Sequence, residues 1–275
     1  IIAGLLHLHS QLGKIPLKEV VTPAINAGKN GIALSHKQAY FLDILEPIMC
    51  HSNAGKKVFC SGDKLIKAKE TLKMEEFADF LETLSLEGVD FFYKGEIAEL
   101  IAEFQQDGGF ITRKDMEKYT VVERNPIVTA FNGYQVLSNP PPAVSGLLVD
   151  FILRLLQSVD CSDDHQISIR ELVYAFEITG LVRAEHLQGF SQKMEIDMSN
   201  VFEKYRKMFL DNLNKPAVGN LSENRNGSTT HISVIDKSGN AASVTTTNGE
   251  GCGYVLPKVG FMLNNMLGEE DLNPL

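Results

Sequence analysis

Two alternating runs, residues 229–235 and 241–247, flank Asp236-Lys237-Ser238-Gly239-Asn240, and this pair narrows the fold more than any other stretch. Period-two alternation predicts strands, and a short turn containing Gly predicts that they pair as a hairpin. If Asp236 faces Asn240, the register sets Thr229 opposite Thr247; a two-residue loop would set Asn248 there instead. In either register a hydroxyl or amide of the return strand reaches the head of the first strand, because directly opposed side chains share a face. A hydroxyl residue in that place becomes a nucleophile with its own base if the bond before it is cut, since the freed α-amine then lies beside the hydroxyl.

The rest of the chain leaves room for such chemistry. Its 275 residues, 44% hydrophobic and 22% charged, suffice for a sizeable core. The net charge of -9 argues against a nucleic-acid partner or an anionic membrane surface and favours a small-molecule or peptide substrate. Cys50, Cys60, Cys161 and Cys252 are widely spaced and form neither a zinc pattern nor a disulfide framework. Asp163-Asp164-His165 reads as a cap ahead of a helix rather than a metal site, and no metal or cofactor is expected. The chain opens at Ile1 with no Met and no basic leader, and runs at once into an apolar pattern. It is therefore expected to be a piece of a longer precursor, truncated at both ends, and its compartment stays open.

Up to about residue 100 the chain reads as helices: one opened by Ile15-Pro16-Leu17 and ended by 28–31, then 38–48, 75–84 and 95–106. Thr112 with Asp115 forms a capping box. Residues 127–131 and 134–137, joined by Asn132-Gly133, read as a hairpin. The apolar stretch 144–156, broken by Asp150 and Arg154, is too short for a bilayer and reads as a core helix. Helices over 171–186 and 200–210 follow, then a polar linker over 211–228.

Taken together, Thr229-Thr230-His231-Ile232-Ser233-Val234-Ile235-Asp236, Gly239-Asn240-Ala241, Ser243-Val244-Thr245-Thr246-Thr247 and Leu263-Asn264-Asn265 resemble the start of the small subunit of γ-glutamyltranspeptidases. Upstream, Pro23-Ala24-Ile25, Gly108-Gly109-Phe110-Ile111-Thr112, Tyr119 with Glu123-Arg124-Asn125-Pro126, and Pro140-Pro141-Pro142-Ala143-Val144-Ser145-Gly146 resemble the large subunit, in the same order. The resemblance implies an α+β fold, the αββα sandwich of N-terminal nucleophile hydrolases. Residues 1–228 would be the large-subunit portion and 229–275 the start of the small subunit, together one composite domain. It further implies a precursor that cuts itself between Ser228 and Thr229. Thr229 would then attack a γ-glutamyl amide such as glutathione, with Thr247 supporting the nucleophile, and water or an amino acid or peptide acceptor would resolve the acyl-enzyme.

Some positions depart from the family pattern. Asn248 follows Thr247 directly, where the family has one residue between Thr and Asn, and the loop to Leu263 is shorter. Met266 stands where Gln or Glu is usual, so that Glu269 or Glu270 is left to pair with the substrate ammonium. The family Arg that clamps the α-carboxylate is expected upstream of Ile1, and the oxyanion-hole elements downstream of Leu275, so the piece alone is expected to be inactive. Other readings are a related acylase for a cephalosporin or glutaryl amide, and a non-catalytic relative. His231 shares a strand face with Thr229 but is expected to hydrogen-bond within the sheet. Gly249-Glu250-Gly251-Cys252-Gly253 is expected to line the substrate cleft, since no helix follows it to make a phosphate cradle.

Overall fold

The computed structural model describes residues 1–105, 109–141, 143–159, 166–187, 198–213 and 230–266. These contain α1 (Ile2–Leu12), α2 (Leu17–Asn30), β1 (Ile32–Ala33), α3 (His36–Ile44), α4 (Glu46–Met49), α5 (Asn53–Phe59), β2 (Cys60–Ser61), β3 (Lys64–Leu65) and β4 (Thr71–Leu72). There follow α6 (Glu75–Glu87), α7 (Val89–Tyr93), α8 (Glu96–Phe104), α9 (Arg113–Lys118), β5 (Ile127–Phe131) and β6 (Tyr134–Ser138). The last are α10 (Val144–Gln157), α11 (Ile169–His186), α12 (Met198–Asn212), β7 (Thr230–Ile235) and β8 (Ala241–Thr246). The chain forms two compact units, one of residues 1–122 with 226–269 and the other of 123–225 with 270–275.

In the first unit the expected helix over 38–48 is broken into α3 and α4. Pro47 explains the break: it has no N–H to continue an incoming helix, yet fits the first turn of a new one. The helical reading of the first hundred residues also missed β1, which pairs antiparallel with β4, and β2, which pairs with β3. Two-residue strands carry no readable period. Helices α6 and α8 supply Phe80, Leu84, Ile97 and Ile101 to a buried core that Leu256 and Val259 complete from far along the chain.

The second unit follows the sequence more closely. Asn132 and Gly133 take φ of 47° and 78°, the positive values that a two-residue primed turn demands, and β5 and β6 pair from Phe131–Tyr134 outward. Helix α10 lies against this hairpin, with Thr129 Oγ1 donating to Asp150 Oδ1 at 2.7 Å. Its other face buries Phe151 and Leu155 against Tyr174 and Ile178 of α11 and Phe209 of α12. Arg154, the second charge in this apolar stretch, stacks its guanidinium 4.0 Å from the centre of the Phe202 ring. Ser168 and Glu171 form a capping box that starts α11 two residues before the expected point. No helix among the described residues is long and apolar enough to cross a membrane.

Candidate active site

The hairpin β7–β8 adopts the first of the two registers foreseen. Thr230 pairs with Thr246 and Ile235 with Ala241, and the Asp236 N–H donates to the Asn240 carbonyl at 2.9 Å. The turn is built around one carboxylate. Asp236 Oδ1 accepts the Ser238 and Asn240 backbone N–H groups at 2.8 and 2.9 Å, and Oδ2 accepts Asn240 Nδ2 at 2.9 Å. The Asn240 side chain first, and the backbone donors after it, hold the Asp236 carboxyl below its usual range. Because the folded value is depressed, the stabilisation is present above the unfolded pKa of about 3.9 and is lost as pH falls through the lower folded value. Amide hydrogen exchange at Ser238 and Asn240, measured relative to the unfolded chain, is therefore expected to stay protected at pH 5 and to speed up below about pH 4. In Asp236→Asn the protection should no longer change over that range.

One face of the hairpin is a polar column. His231 Nδ1 lies 2.8 Å from Thr245 Oγ1, and its Nε2 lies 2.9 and 3.0 Å from Ser233 Oγ and Ser243 Oγ. Both ring nitrogens are thus engaged within the sheet, as the sequence led us to expect. The opposite face carries Ile232, Val234 and Val244, all exposed.

Beyond β8 the chain passes through Thr247 and Asn248 into a closed loop. Thr247 Oγ1 accepts the Gly249 N–H at 3.0 Å. The Asn248 carbonyl accepts the N–H groups of Gly251 at 3.2 Å and Asn265 at 3.3 Å, and Asn265 Oδ1 accepts the Glu250 N–H at 3.1 Å. Asn265 therefore clasps the two ends of the loop, a role not foreseen from the sequence, where Asn264-Asn265 stood out only by resemblance. Gly251 sits at φ 88°, a conformation that strains any side chain, and a Cβ there would lie 2.5 Å from Met262 Sδ, so that Met262 would have to move.

The loop is fixed from below. Its two limbs pair through Cys252 N–H to Leu263 O at 3.0 Å and Leu256 N–H to Phe261 O at 2.9 Å. Leu256 and Val259, with 0% and 2% of their surface exposed, enter the core of α6 and α8. The Lys258 N–H donates to Glu76 Oε2 at 3.1 Å and the Val255 N–H to Ser52 Oγ at 3.3 Å, partners 182 and 203 residues away in the chain. Upstream helices thus set the height and direction of the segment carrying Thr247 and Asn248.

Of the sequence-predicted site residues, Thr247 and Asn248 are adjacent and exposed at the exit of β8. Ser228, Thr229, Glu269 and Glu270 lie outside the described residues, as do Asp163-Asp164-His165. A cavity of about 620 Å³ opens elsewhere in the first unit, between α6, α7 and α8, lined by Asp79, Phe80, Asp90, Lys94 and Lys258 among others. Neither Thr247 nor Asn248 lines it. Among the described residues no group of three or more His, Cys, Asp or Glu is arranged to hold a metal ion.

Comparison with known proteins matches residues 1–273 to the family described as gamma-glutamyltranspeptidase. The chain is 33% identical over 294 aligned residues to the glutathione hydrolase proenzyme of Escherichia coli, covering 99% of this chain and 50% of that protein. It therefore spans about half the length of the curated relatives it matches. Among solved structures, the gamma-glutamyltranspeptidase of Pseudomonas nitroreducens complexed with L-DON is 26% identical, with a TM-score of 0.63 over 80% of this chain and 66% of that one. The cephalosporin acylase of Bacillus halodurans is 19% identical, with a TM-score of 0.72 over 96% of this chain and 50% of that one, a likeness of fold.

Proposed function

Because the chain belongs to the gamma-glutamyltranspeptidase family and has the fold of the N-terminal nucleophile hydrolases, we propose that it is part of a precursor that matures into a γ-glutamyltransferase and glutathione hydrolase. The observation that carries this reading is the hairpin register. The observed pairing of Thr230 with Thr246 is the register from which the sequence leads us to expect Thr229 opposite Thr247, and it supports that expectation. Maturation would begin when Thr229 Oγ attacks the carbonyl carbon of Ser228, so that the acyl group moves from nitrogen to oxygen and leaves an ester. This shift frees the α-amine of Thr229, and water then hydrolyses the ester, releasing the Ser228 carboxylate and restoring the Thr229 hydroxyl. An α-amine has a pKa of about 7.7–8, so near neutrality it can take the hydroxyl proton as Oγ attacks substrate.

The second reaction repeats the first on another acyl group. Thr229 Oγ forms an ester with the γ-glutamyl carbonyl, and the leaving amine takes the proton held by the α-amine. Water resolves the ester to glutamate, whereas an amino acid or peptide amine carries the acyl group away. Glutathione is the donor supported by the relatives' name. In this scheme Thr247 orients the nucleophile and its amine, and Asn248, Glu269 and Glu270 bind the substrate. The boundary between 228 and 229 is a chemical one, so it need not follow the compact units, the first of which draws on both sides of it.

A related acylase is the second reading, favoured by two departures from the family pattern: Asn248 directly follows Thr247, and Met266 replaces a carboxylate or amide. The second change leaves a substrate ammonium with fewer partners. Full-length protein is expected to release p-nitroaniline from γ-glutamyl-p-nitroanilide faster than from glutaryl-p-nitroanilide, which lacks the ammonium. The reverse order of rates would replace the transferase by the acylase, and release from neither would favour a non-catalytic relative.

A further inference from the structure

Cys50 and Cys60 are ten positions apart in sequence, a spacing that signals no cross-link, yet the fold brings their sulfurs to 3.1 Å. Cys50 follows the last residue of α4, and Cys60 opens β2 directly after α5, so the two thiols bracket α5. Both are partly buried, against a small core made by Leu34, Leu42, Leu65 and Ile66. We propose that Cys50 and Cys60 form an oxidation site that closes to an intramolecular disulfide, stapling the turn between α4 and α5 to the start of β2.

Closure requires the sulfurs to approach by about 1 Å, since a disulfide bond is ~2.05 Å long. With an organic disulfide as oxidant, one cysteine thiolate attacks it, forms a mixed disulfide and expels one thiol. The second cysteine then attacks the protein sulfur of that mixed disulfide and expels the other. One S–S bond is broken and one formed, the two cysteines are oxidised, the reagent is reduced to two thiols, and the two protons end on those thiols. Burial first, and then the hydrogen bond to Cys60, push the Cys50 thiol up to about 12. Its thiolate is scarce at neutral pH, so attack by Cys50 is slow there and quickens as pH rises.

The staple would act on the ledge that supports the candidate site. Between the two cysteines, the His51 ring packs edge-on against Tyr254 at 5.0 Å, and Ser52 Oγ holds the Val255 N–H at 3.3 Å. These are the contacts under the first limb of the loop that leaves Asn248. The proposal does not depend on Thr229 being a nucleophile, because the bond forms or fails to form whether or not the protein turns over a γ-glutamyl amide.

The test exposes reduced full-length protein to bis(2-hydroxyethyl) disulfide, an oxidant with no γ-glutamyl group. The expected product has lost two hydrogen atoms, yields a Cys50–Cys60 linked peptide in a non-reducing digest, and melts about 2–5 °C higher than the reduced protein. Cys50→Ser and Cys60→Ser should each instead retain a mercaptoethanol adduct at the other cysteine of the pair, and neither should gain thermal stability. Separate adducts on Cys50 and Cys60 in the wild type, thiols at both positions that still alkylate after oxidation, or a linked peptide joining either to Cys161 or Cys252 would overturn the proposal.

Discussion

Thr229→Ala in the full-length precursor is expected to leave one uncut chain and to lower turnover of γ-glutamyl-p-nitroanilide by about a thousandfold or more. Two losses combine in that figure. Without Oγ there is no acyl shift and hence no free amine, and without Oγ there is no acyl-enzyme even if the bond is cut by other means. The two can be separated by producing residues up to Ser228 and residues from Thr229 onward as two chains that assemble. Assembled wild-type chains should be active without self-cutting, and assembled Thr229→Ala chains should be inactive. Thr229→Ser keeps the hydroxyl and should still cut, more slowly. Two pieces on a denaturing gel of the Ala precursor, cut at the 228–229 boundary, would refute the nucleophile assignment. For residues 1–275 alone, slow cutting is expected even with Thr229 intact, because half the length of the relatives is not there to position the scissile carbonyl.

Leu256→Ala is expected to destabilise the protein by about 2–5 kcal/mol, the usual range for a leucine truncated in a close-packed core. Leu256 is fully buried in the core shared with Phe80 and Leu84, and the residues around it have little freedom to fill the space. Chemical denaturation monitored by circular dichroism would measure the change. The local effect should be larger than the global one. Hydrogen exchange at Cys252 and Leu256, whose N–H groups pair across the loop, should accelerate more than at Leu84 in α6. Equal acceleration at both would mean that Leu256 supports the whole unit rather than the loop.

What could be read from the sequence was what neighbouring residues decide. Asp236, Gly239 and Asn240 specify their own turn, and the turn then dictates every pair from Ile235–Ala241 to Thr230–Thr246. Thr112 and Asp115 cap α9 as expected, and the Asn132-Gly133 turn organises β5 and β6. The misses come from long-range pairing or from very short elements. The pairing of Ile32 with Leu72 crosses three helices, and two-residue strands give no alternation to detect. Pro47 was legible in principle as the break between α3 and α4, and the apolar pattern on both sides of it hid the signal.

The site divides along the same line. The position of Thr247 directly after β8 was legible from turn geometry, because it follows from counting along paired strands, while its part in catalysis is a proposal. The roles of Leu256, Val259 and Asn265 depend on partners that no local pattern announces. Cys50 and Cys60 were passed over for the same reason: their closeness comes from α5 folding between them. His231 was read correctly, since a residue with hydroxyls opposite and two places along on the same face has partners within reach.

The burial of Leu256 and Val259 among helices that begin nearly two hundred residues earlier also bears on molecularity. A cut ahead of Thr229 would leave the downstream piece gripped by the upstream one, with no covalent tether. Unfolding would then release two polypeptides where the precursor releases one, and reassembly would become a second-order encounter. The thermal midpoint of the cut protein would rise with its concentration, whereas that of the precursor would not. Making the nucleophile would thus exchange an intramolecular folding equilibrium for an association equilibrium, and dilution would become a route to inactivation.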